Sequence, residues 1–186
     1  MLELNKHDIF PTPIWILRGA PQGMVDVLYK DAYKYKANYK SENRSGKGGY
    51  QSPGLDWENF PTEPRKYFND LLSTLPISTG CKIQLEGNKS PYWWYNINGK
   101  GDWNLPHVHP RSDLACVLYL TDTDNELTIM NPHHHTRMDL DGHEQYSSPK
   151  MNKGDMIIFP ADLPHFVMPN KNDNERVSLS MNLTLR

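Results

Sequence analysis

The sequence predicts a mainly β protein with supporting helices, a double-stranded β-helix or jelly roll. From residue 81 onward, short apolar or alternating runs recur, with turn residues between them and no helical segment. Runs of this kind favour an antiparallel sandwich or barrel over a βαβ fold. Fifteen prolines and twelve glycines among 186 residues suit many short strands joined by turns. The predicted strands are 82–86, 92–98, 105–109, 114–120, 126–130, 156–159, 165–168 and 177–185.

The first 80 residues are expected to support the jelly-roll core of residues 81–186 within a single domain spanning 1–186. Residues 9–17 predict a strand at a sheet edge, because prolines cannot donate the hydrogen bonds of a central strand. A helix is expected from about Gly23 to Tyr39, with an apolar face made of Met24, Val27, Leu28 and Ala32. A second helix after Thr62 would bury Tyr67, Phe68, Leu71 and Leu72.

The stretch from Ser41 to Asp56 is rich in Gly, Ser, Lys and Asn and has no hydrophobic periodicity. This composition predicts a mobile surface loop, and a lid over a binding site is the alternative.

Charge and composition argue against several classes of partner. Twenty basic and 22 acidic residues give a net charge of −2, so no overall field favours nucleic acid or an anionic membrane. No run approaches the roughly 18 apolar residues of a spanning helix, and the N-terminus has no signal core. We therefore expect a cytoplasmic protein. Cys81 and Cys116 form no CxxC pattern, so no disulfide framework is predicted, and Cys116 is expected to be buried.

Two histidines close together suggest a metal site. His107 and His109 lie in a run that looks extended, and residues i and i+2 of a strand point to the same face. After 55 intervening residues, a corner at 160–164 delivers His165 to the start of another predicted strand. A corner at the mouth of a barrel can aim a ligand inward.

Arg176 and Ser178 follow His165 after ten intervening residues and share one face of a predicted strand. One hairpin of about that length would return the chain beside the histidines. A guanidinium offers a planar fork that matches a carboxylate, and a nearby hydroxyl adds a further hydrogen bond. The pattern therefore predicts a metal held by histidines, with an arginine that receives an acidic co-substrate.

This spacing resembles that of the Fe(II)- and 2-oxoglutarate-dependent oxygenases, which carry HxD/E, a distant His and then Arg-x-Ser. The chain is most similar to a group of these oxygenases common in phages and marine bacteria, for which the host cytoplasm would be the location. The matching segments are 9–13, 104–110, 117–120, 154–160, 163–167 and 176–182. The resemblance implies a jelly roll, Fe(II), 2-oxoglutarate and O₂, and oxidation of an unactivated C–H bond that yields succinate and CO₂.

The resemblance also implies roles for single residues. His107 and His165 match the histidine ligands of the metal, and Arg176 matches the arginine that binds the distal carboxylate of 2-oxoglutarate, with Ser178 assisting. Asn96 precedes His107 by eleven residues, where the alkylation-repair branch has an asparagine that contacts 2-oxoglutarate. Tyr119 is a further candidate contact for 2-oxoglutarate.

His109 stands where the superfamily usually has Asp or Glu, although the narrower group also has histidine there. With three neutral imidazoles, an Fe(II) site keeps a formal charge of +2 rather than +1. The loss of a hard oxygen donor should weaken the preference for iron over zinc or copper. Asp113 could replace it only if the intervening residues fold back, because a straight strand would put it about 13 Å away.

The substrate is predicted to be a peptidyl side chain, an amino acid or a small metabolite, with a homodimer one option for the assembly. Aromatic candidates for the pocket wall are Tyr92, Trp93, Trp94, Tyr95 and Trp103. A rival metal motif, the histidine run within 131–136, is expected in an exposed loop. Two alternatives stay open: a three-histidine cupin-type enzyme that does not use 2-oxoglutarate, and a non-catalytic jelly roll that serves in binding.

Overall fold

The computed structural model describes residues 12–42, 44–74, 82–85, 91–124, 127–132, 146–147 and 149–186. It contains helices α1 (Gln22–Asn38) and α2 (Thr62–Thr74) and a 3₁₀ turn at Trp57–Asn59. The strands are β1 (Trp15–Leu17), β2 (Gly46–Lys47), β3 (Tyr50–Gln51), β4 (Leu55–Asp56), β5 (Tyr92–Asn98), β6 (Trp103–His107), β7 (Leu114–Tyr119), β8 (Leu127–Met130), β9 (Tyr146–Ser147), β10 (Met156–Pro160), β11 (His165–Val167) and β12 (Arg176–Leu183).

These strands form two antiparallel sheets, which confirms the predicted jelly roll. The major sheet has the order β1-β10-β7-β12-β5-β3, with β4 also paired to β5. The minor sheet has the order β2-β6-β11-β8-β9. Strand β1 lies at the edge of the major sheet, as its prolines predict. Among the described residues, no helix is long and apolar enough to cross a membrane.

Strand β12 shows how the major sheet separates a core from a site. Val177, Leu179, Met181 and Leu183 are fully buried and pack in the core cluster that also contains the helices. The alternate residues Arg176, Ser178, Ser180 and Asn182 line cavities between the sheets. Because side chains of a strand alternate between its faces, one strand supplies both the apolar core and a polar stripe.

The helices cover the outer face of the major sheet. Phe68 and Leu72 of α2 are buried as predicted, and Tyr67 and Leu71 pack beside them. In α1 the prediction was partly wrong: the helix buries Val25, Leu28 and Ala32, whereas Val27 is 36% exposed. The buried residues follow i, i+3, i+7 spacing from Val25, so the helix is rotated relative to the expected face.

The prediction of a loop without regular structure between Ser41 and Asp56 was wrong. Strand β2 pairs with β6 of the minor sheet, and β3 pairs with β5 of the major sheet. Gly48 and Gly49 join them with φ of 72° and 61°, a conformation that favours glycine. We call residues 44–52 the strap, because they connect one edge of each sheet.

Two further differences concern strand positions. Residues 82–85 form no strand, and Ile83 makes only an isolated bridge with Leu185. Strand β6 begins and ends two residues earlier than predicted, so His109 lies beyond it. Cys81 and most of the histidine run at 131–136 lie outside the described residues, whereas Cys116 is buried as expected.

Candidate metal centre and its two cavities

Three histidines converge between the sheets. One ligand atom from each of His107, His109 and His165 lies within 4.8 Å of the other two. His107 ends β6, His165 begins β11, and the two residues pair directly in the sheet. Their ring centroids are 4.3 Å apart. Strand pairing therefore joins two histidines that are far apart in sequence.

His109 reaches the cluster by a different route from the one predicted. Because β6 ends at His107, the alternation of a strand does not orient the His109 ring. Instead the His109 amide donates to the Ala161 carbonyl at 2.8 Å, and Arg111 turns the chain with φ of 69°. Trp94 stacks against the ring with centroids 5.7 Å apart. A turn and an aromatic contact thus hold this histidine.

Hydrogen bonds orient two of the three rings. The Nδ1 of His107 lies 2.6 Å from the Leu105 carbonyl, and the Nδ1 of His165 lies 2.9 Å from the Leu163 carbonyl. A carbonyl only accepts, so in the neutral rings each Nδ1 carries the proton. The Nε2 atoms then keep their lone pairs, which is the arrangement that a metal ligand needs.

The cluster favours neutral imidazoles. Burial lowers the pKa of His109 to about 4, with repulsion from His107 adding to the effect and contact with the Asn182 side chain opposing it. Burial likewise lowers the pKa of His165 to about 3, and it lowers the pKa of His107. A neutral imidazole is the form that binds a metal.

The spacing of the nitrogens fits a single metal ion. The Nε2 atoms of His109 and His165 are 3.2 Å apart. Two nitrogens that are each about 2.1 Å from one metal lie roughly 3.0 Å apart at a right angle and roughly 3.4 Å apart at the tetrahedral angle. Asp113 lies outside the cluster, and its Oδ2 accepts the Leu185 amide at 2.8 Å. The described donor set therefore consists of three imidazoles.

An inner cavity of about 50 Å³ is lined by all three histidines and by Arg176. The side chain is 6% exposed, and its Nη1 donates to the Met168 carbonyl at 3.3 Å. The prediction of a hairpin between His165 and Arg176 was wrong, because β11 belongs to the minor sheet and β12 to the major sheet. The arginine instead reaches across the space between the sheets.

The other predicted co-substrate residues line the same inner cavity. Ser178 pairs with Asn96 on β5 and with Tyr119 on β7, so the three residues are neighbours across adjacent strands. The Asn96 amide donates to the Ser180 hydroxyl at 3.0 Å. The structure therefore brings Arg176 and these three candidates into one cavity.

An outer cavity of about 420 Å³ is also lined by His107 and His109. Its wall combines the strap residues Arg44, Ser45, Gln51 and Ser52 with Tyr92, Trp94 and the segment from Leu105 to Pro110. Trp93 and Tyr95 were wrongly predicted as pocket residues; they are fully buried on the opposite face of β5. Trp103 lines neither of these two cavities.

The sequence reasoning missed several cavity residues, and Arg44 and Asn182 are two of them. Arg44 lay in a segment interpreted as a loop, and only its pairing to the sheets brings it to the outer cavity. Asn182 had a readable signal, since it continues the polar alternation of Arg176, Ser178 and Ser180 along one strand. That alternation predicts a fourth polar side chain on the cavity face.

Comparison with known structures identifies the fold. A Pseudomonas putida prolyl-4-hydroxylase is 17% identical with a TM-score of 0.66, and the match covers 94% of each chain. A Trichoplax adhaerens prolyl hydroxylase, solved with a peptide fragment of the hypoxia inducible factor oxygen degradation domain, is 14% identical with a TM-score of 0.63, covering 92% of this chain and 83% of that one. The epimerase SnoN, solved with Fe³⁺, alpha ketoglutarate and nogalamycin RO, is 14% identical with a TM-score of 0.62, covering 93% and 79%.

No curated protein sequence matches the chain. Residues 92–182 match the model of the family described as "Putative 2OG-Fe(II) oxygenase". The matched segment contains the three clustered histidines, Arg176 and all the residues placed beside them on β5, β7 and β12. Over this segment, which spans 91 of the 186 residues, the chain is similar to the 2OG-Fe(II) oxygenase family, whose cofactor and co-substrate are Fe(II) and 2-oxoglutarate.

Proposed function

We propose that this protein is an Fe(II)- and 2-oxoglutarate-dependent oxygenase that hydroxylates an unactivated C–H bond. The observation that carries the proposal is the convergence of three histidines that border the inner cavity, in which Arg176 is buried, with two of them also bordering the outer cavity. His107, His109 and His165 would hold the metal through their Nε2 atoms. When bound, Fe(II) with 2-oxoglutarate and O₂ supplies the oxidising chemistry and releases succinate and CO₂.

The protein's own contribution is binding and orientation. Arg176 would receive the distal carboxylate of 2-oxoglutarate in a bidentate pair, which is strong because the arginine is only 6% exposed. Ser178, flanked by Asn96 and Tyr119, would add polar contacts to the same co-substrate. The small inner cavity leaves little room for bulk water beside the bound dianion.

The substrate would enter the outer cavity, where His107, His109 and Trp94 form the floor nearest to the metal. Its wall is mixed, with Pro106, Val108 and Pro110 on one side and the polar strap on the other. A peptidyl side chain, an amino acid or a small metabolite suits such a cavity. The peptide and nogalamycin RO in the two neighbouring structures are of these same kinds.

The test is turnover of 2-oxoglutarate to succinate without added substrate, which requires no knowledge of the substrate. Fe(II) plus 2-oxoglutarate should also give a weak visible charge-transfer band under anaerobic conditions. Arg176→Ala should abolish that band at moderate 2-oxoglutarate concentrations, because the distal carboxylate of 2-oxoglutarate loses its bidentate guanidinium partner. Arg176→Lys should retain part of it, since a lysine keeps the charge without the bidentate geometry.

Two outcomes would favour the alternatives. Metal binding without any 2-oxoglutarate band would favour a three-histidine cupin-type enzyme. Unchanged metal content in both His107→Ala and His165→Ala would remove the metal site itself and leave a non-catalytic jelly roll.

A further inference from the structure

The three histidines differ in what holds the nitrogen that faces away from the cluster. The Nδ1 atoms of His107 and His165 each meet the carbonyl of the residue two positions earlier in the chain. For His109 the residue two positions earlier is His107, and no described hydrogen bond joins the His109 Nδ1 to the carbonyl of His107. His109 therefore needs an acceptor from elsewhere in the fold.

Asn182 stands in the right position to be that acceptor. Its Oδ1 is fully buried, and among the described residues it accepts no hydrogen bond of ordinary geometry. Its side chain lines the outer cavity together with the His109 ring. A buried amide oxygen without a well-formed hydrogen bond is costly, so one close to an imidazole N–H indicates a site that is completed in another state.

We infer that Asn182 is the positioning residue of His109, with its Oδ1 accepting the Nδ1 proton and so leaving the His109 Nε2 lone pair for the metal. This inference rests on the proposed metal-binding role of the cluster. Without such an acceptor, the His109 Nε2 can carry the proton and donate it to the His165 Nε2, 3.2 Å away. In that tautomer the His109 Nε2 has no lone pair for a metal, and the His165 Nε2 lone pair is already engaged.

Two features make the assignment specific to this residue. Trp94 packs on one face of the His109 ring and fixes the plane of that ring. Asn182 would then determine which ring nitrogen carries the proton. Asn182 lies six residues after Arg176 on the same face of β12, so one strand would bind the co-substrate at one end and orient a ligand at the other.

The experiment compares metal binding by Asn182→Leu, Asn182→Asp and the control Asn174→Leu with that of the natural protein, using Zn²⁺ and Fe(II). Leucine keeps the volume but removes the acceptor, so affinity should fall by roughly 10- to 100-fold. Aspartate keeps an acceptor oxygen and should retain affinity. Asn174 is exposed and lines neither of the two cavities, so the same substitution there should keep the affinity within about twofold of that of the natural protein.

A spectroscopic measurement separates positioning from a general structural role. In the Zn²⁺-loaded, ¹⁵N-labelled protein, the His109 Nδ1–H should give a protected proton signal that is lost in Asn182→Leu but kept in Asn182→Asp. Equal affinity and an unchanged Nδ1–H signal in Asn182→Leu would overturn the inference while leaving the proposed function intact. Failure of the natural protein to bind either metal would instead overturn the proposed function. A poorly folded leucine variant would be recognised by its lost dispersion, and the aspartate variant would then decide through the same signal.

Discussion

Acidification should lower the unfolding free energy of the metal-free protein, because the histidine cluster buries neutral imidazoles that become protonated when the chain unfolds. The pKa is about 4 for His109 and about 3 for His165, against 6.5 for an unperturbed imidazole. A lowered pKa means that the unfolded chain binds protons more readily, so stability is complete above pH 6.5 and falls as the pH drops towards 4.

The size of the effect follows from proton binding at pH 5. In the unfolded chain, protonated imidazoles would outnumber neutral ones roughly 30-fold, whereas the buried rings stay largely neutral. Each of His109 and His165 should therefore cost about 2 kcal/mol of unfolding free energy between pH 8 and pH 5, and the pair about 4 kcal/mol. The lowered pKa values of Asp155 and Glu175 act mainly below this range.

Urea denaturation of chelator-treated protein at pH 8, 6.5 and 5 measures this loss. His109→Gln removes one titrating ring, so its loss over the same range should be smaller by about 2 kcal/mol. Comparing the variant with the natural protein cancels the contribution of histidines elsewhere in the chain. Equal pH dependence in the two proteins would refute the reasoning, since it would mean that His109 titrates alike in the folded and unfolded states.

Two further substitutions test the packing. Val25→Ala should lower the unfolding free energy by about 2 kcal/mol, because Val25 is fully buried. Val27→Ala, on the exposed side of α1, should change it by less than about 0.5 kcal/mol. Equal losses of stability in thermal denaturation would contradict this orientation of the helix. Gly54→Ala should cost about 1–3 kcal/mol, because a Cβ there would overlap the Tyr92 hydroxyl. The Fe(II)–2-oxoglutarate band of this variant should nevertheless persist, because Tyr92 lines the outer cavity and not the inner one. Loss of the band would contradict this separation of the cavities.

The fold class could be predicted from the sequence because the alternation of apolar and polar residues that marks a strand lies within a few consecutive residues. Strand β5 was predicted with its exact bounds, and β12 differs by only one or two residues at each end. Local patterning also explains the error in α1, where Val25 and Val27 are equally apolar and only packing on the major sheet selects between them.

The site was less accessible to sequence reasoning because its contacts span long stretches of chain. The spacing of His107, His165 and Arg176 predicted a site, but the pairing of β6 with β11 that forms it cannot be read from either strand alone. His109 was placed near His107 correctly but for the wrong reason, because a hydrogen bond to Ala161 rather than strand alternation directs it. Side-chain orientation beyond a strand end depends on such distant partners.

The strap has a consequence for how the protein behaves in solution. A strand at the edge of a sheet offers a free row of amides and carbonyls to which another chain can add. Strand β5, with its four consecutive aromatic residues, and strand β6 would both present such rows at the mouth of the jelly roll. The two-residue strand β2 pairs with two residues of β6, and β3 pairs with two residues of β5, and both are too short to be good templates themselves. The segment that shapes the cavity rim therefore also protects the protein against aggregation by strand addition.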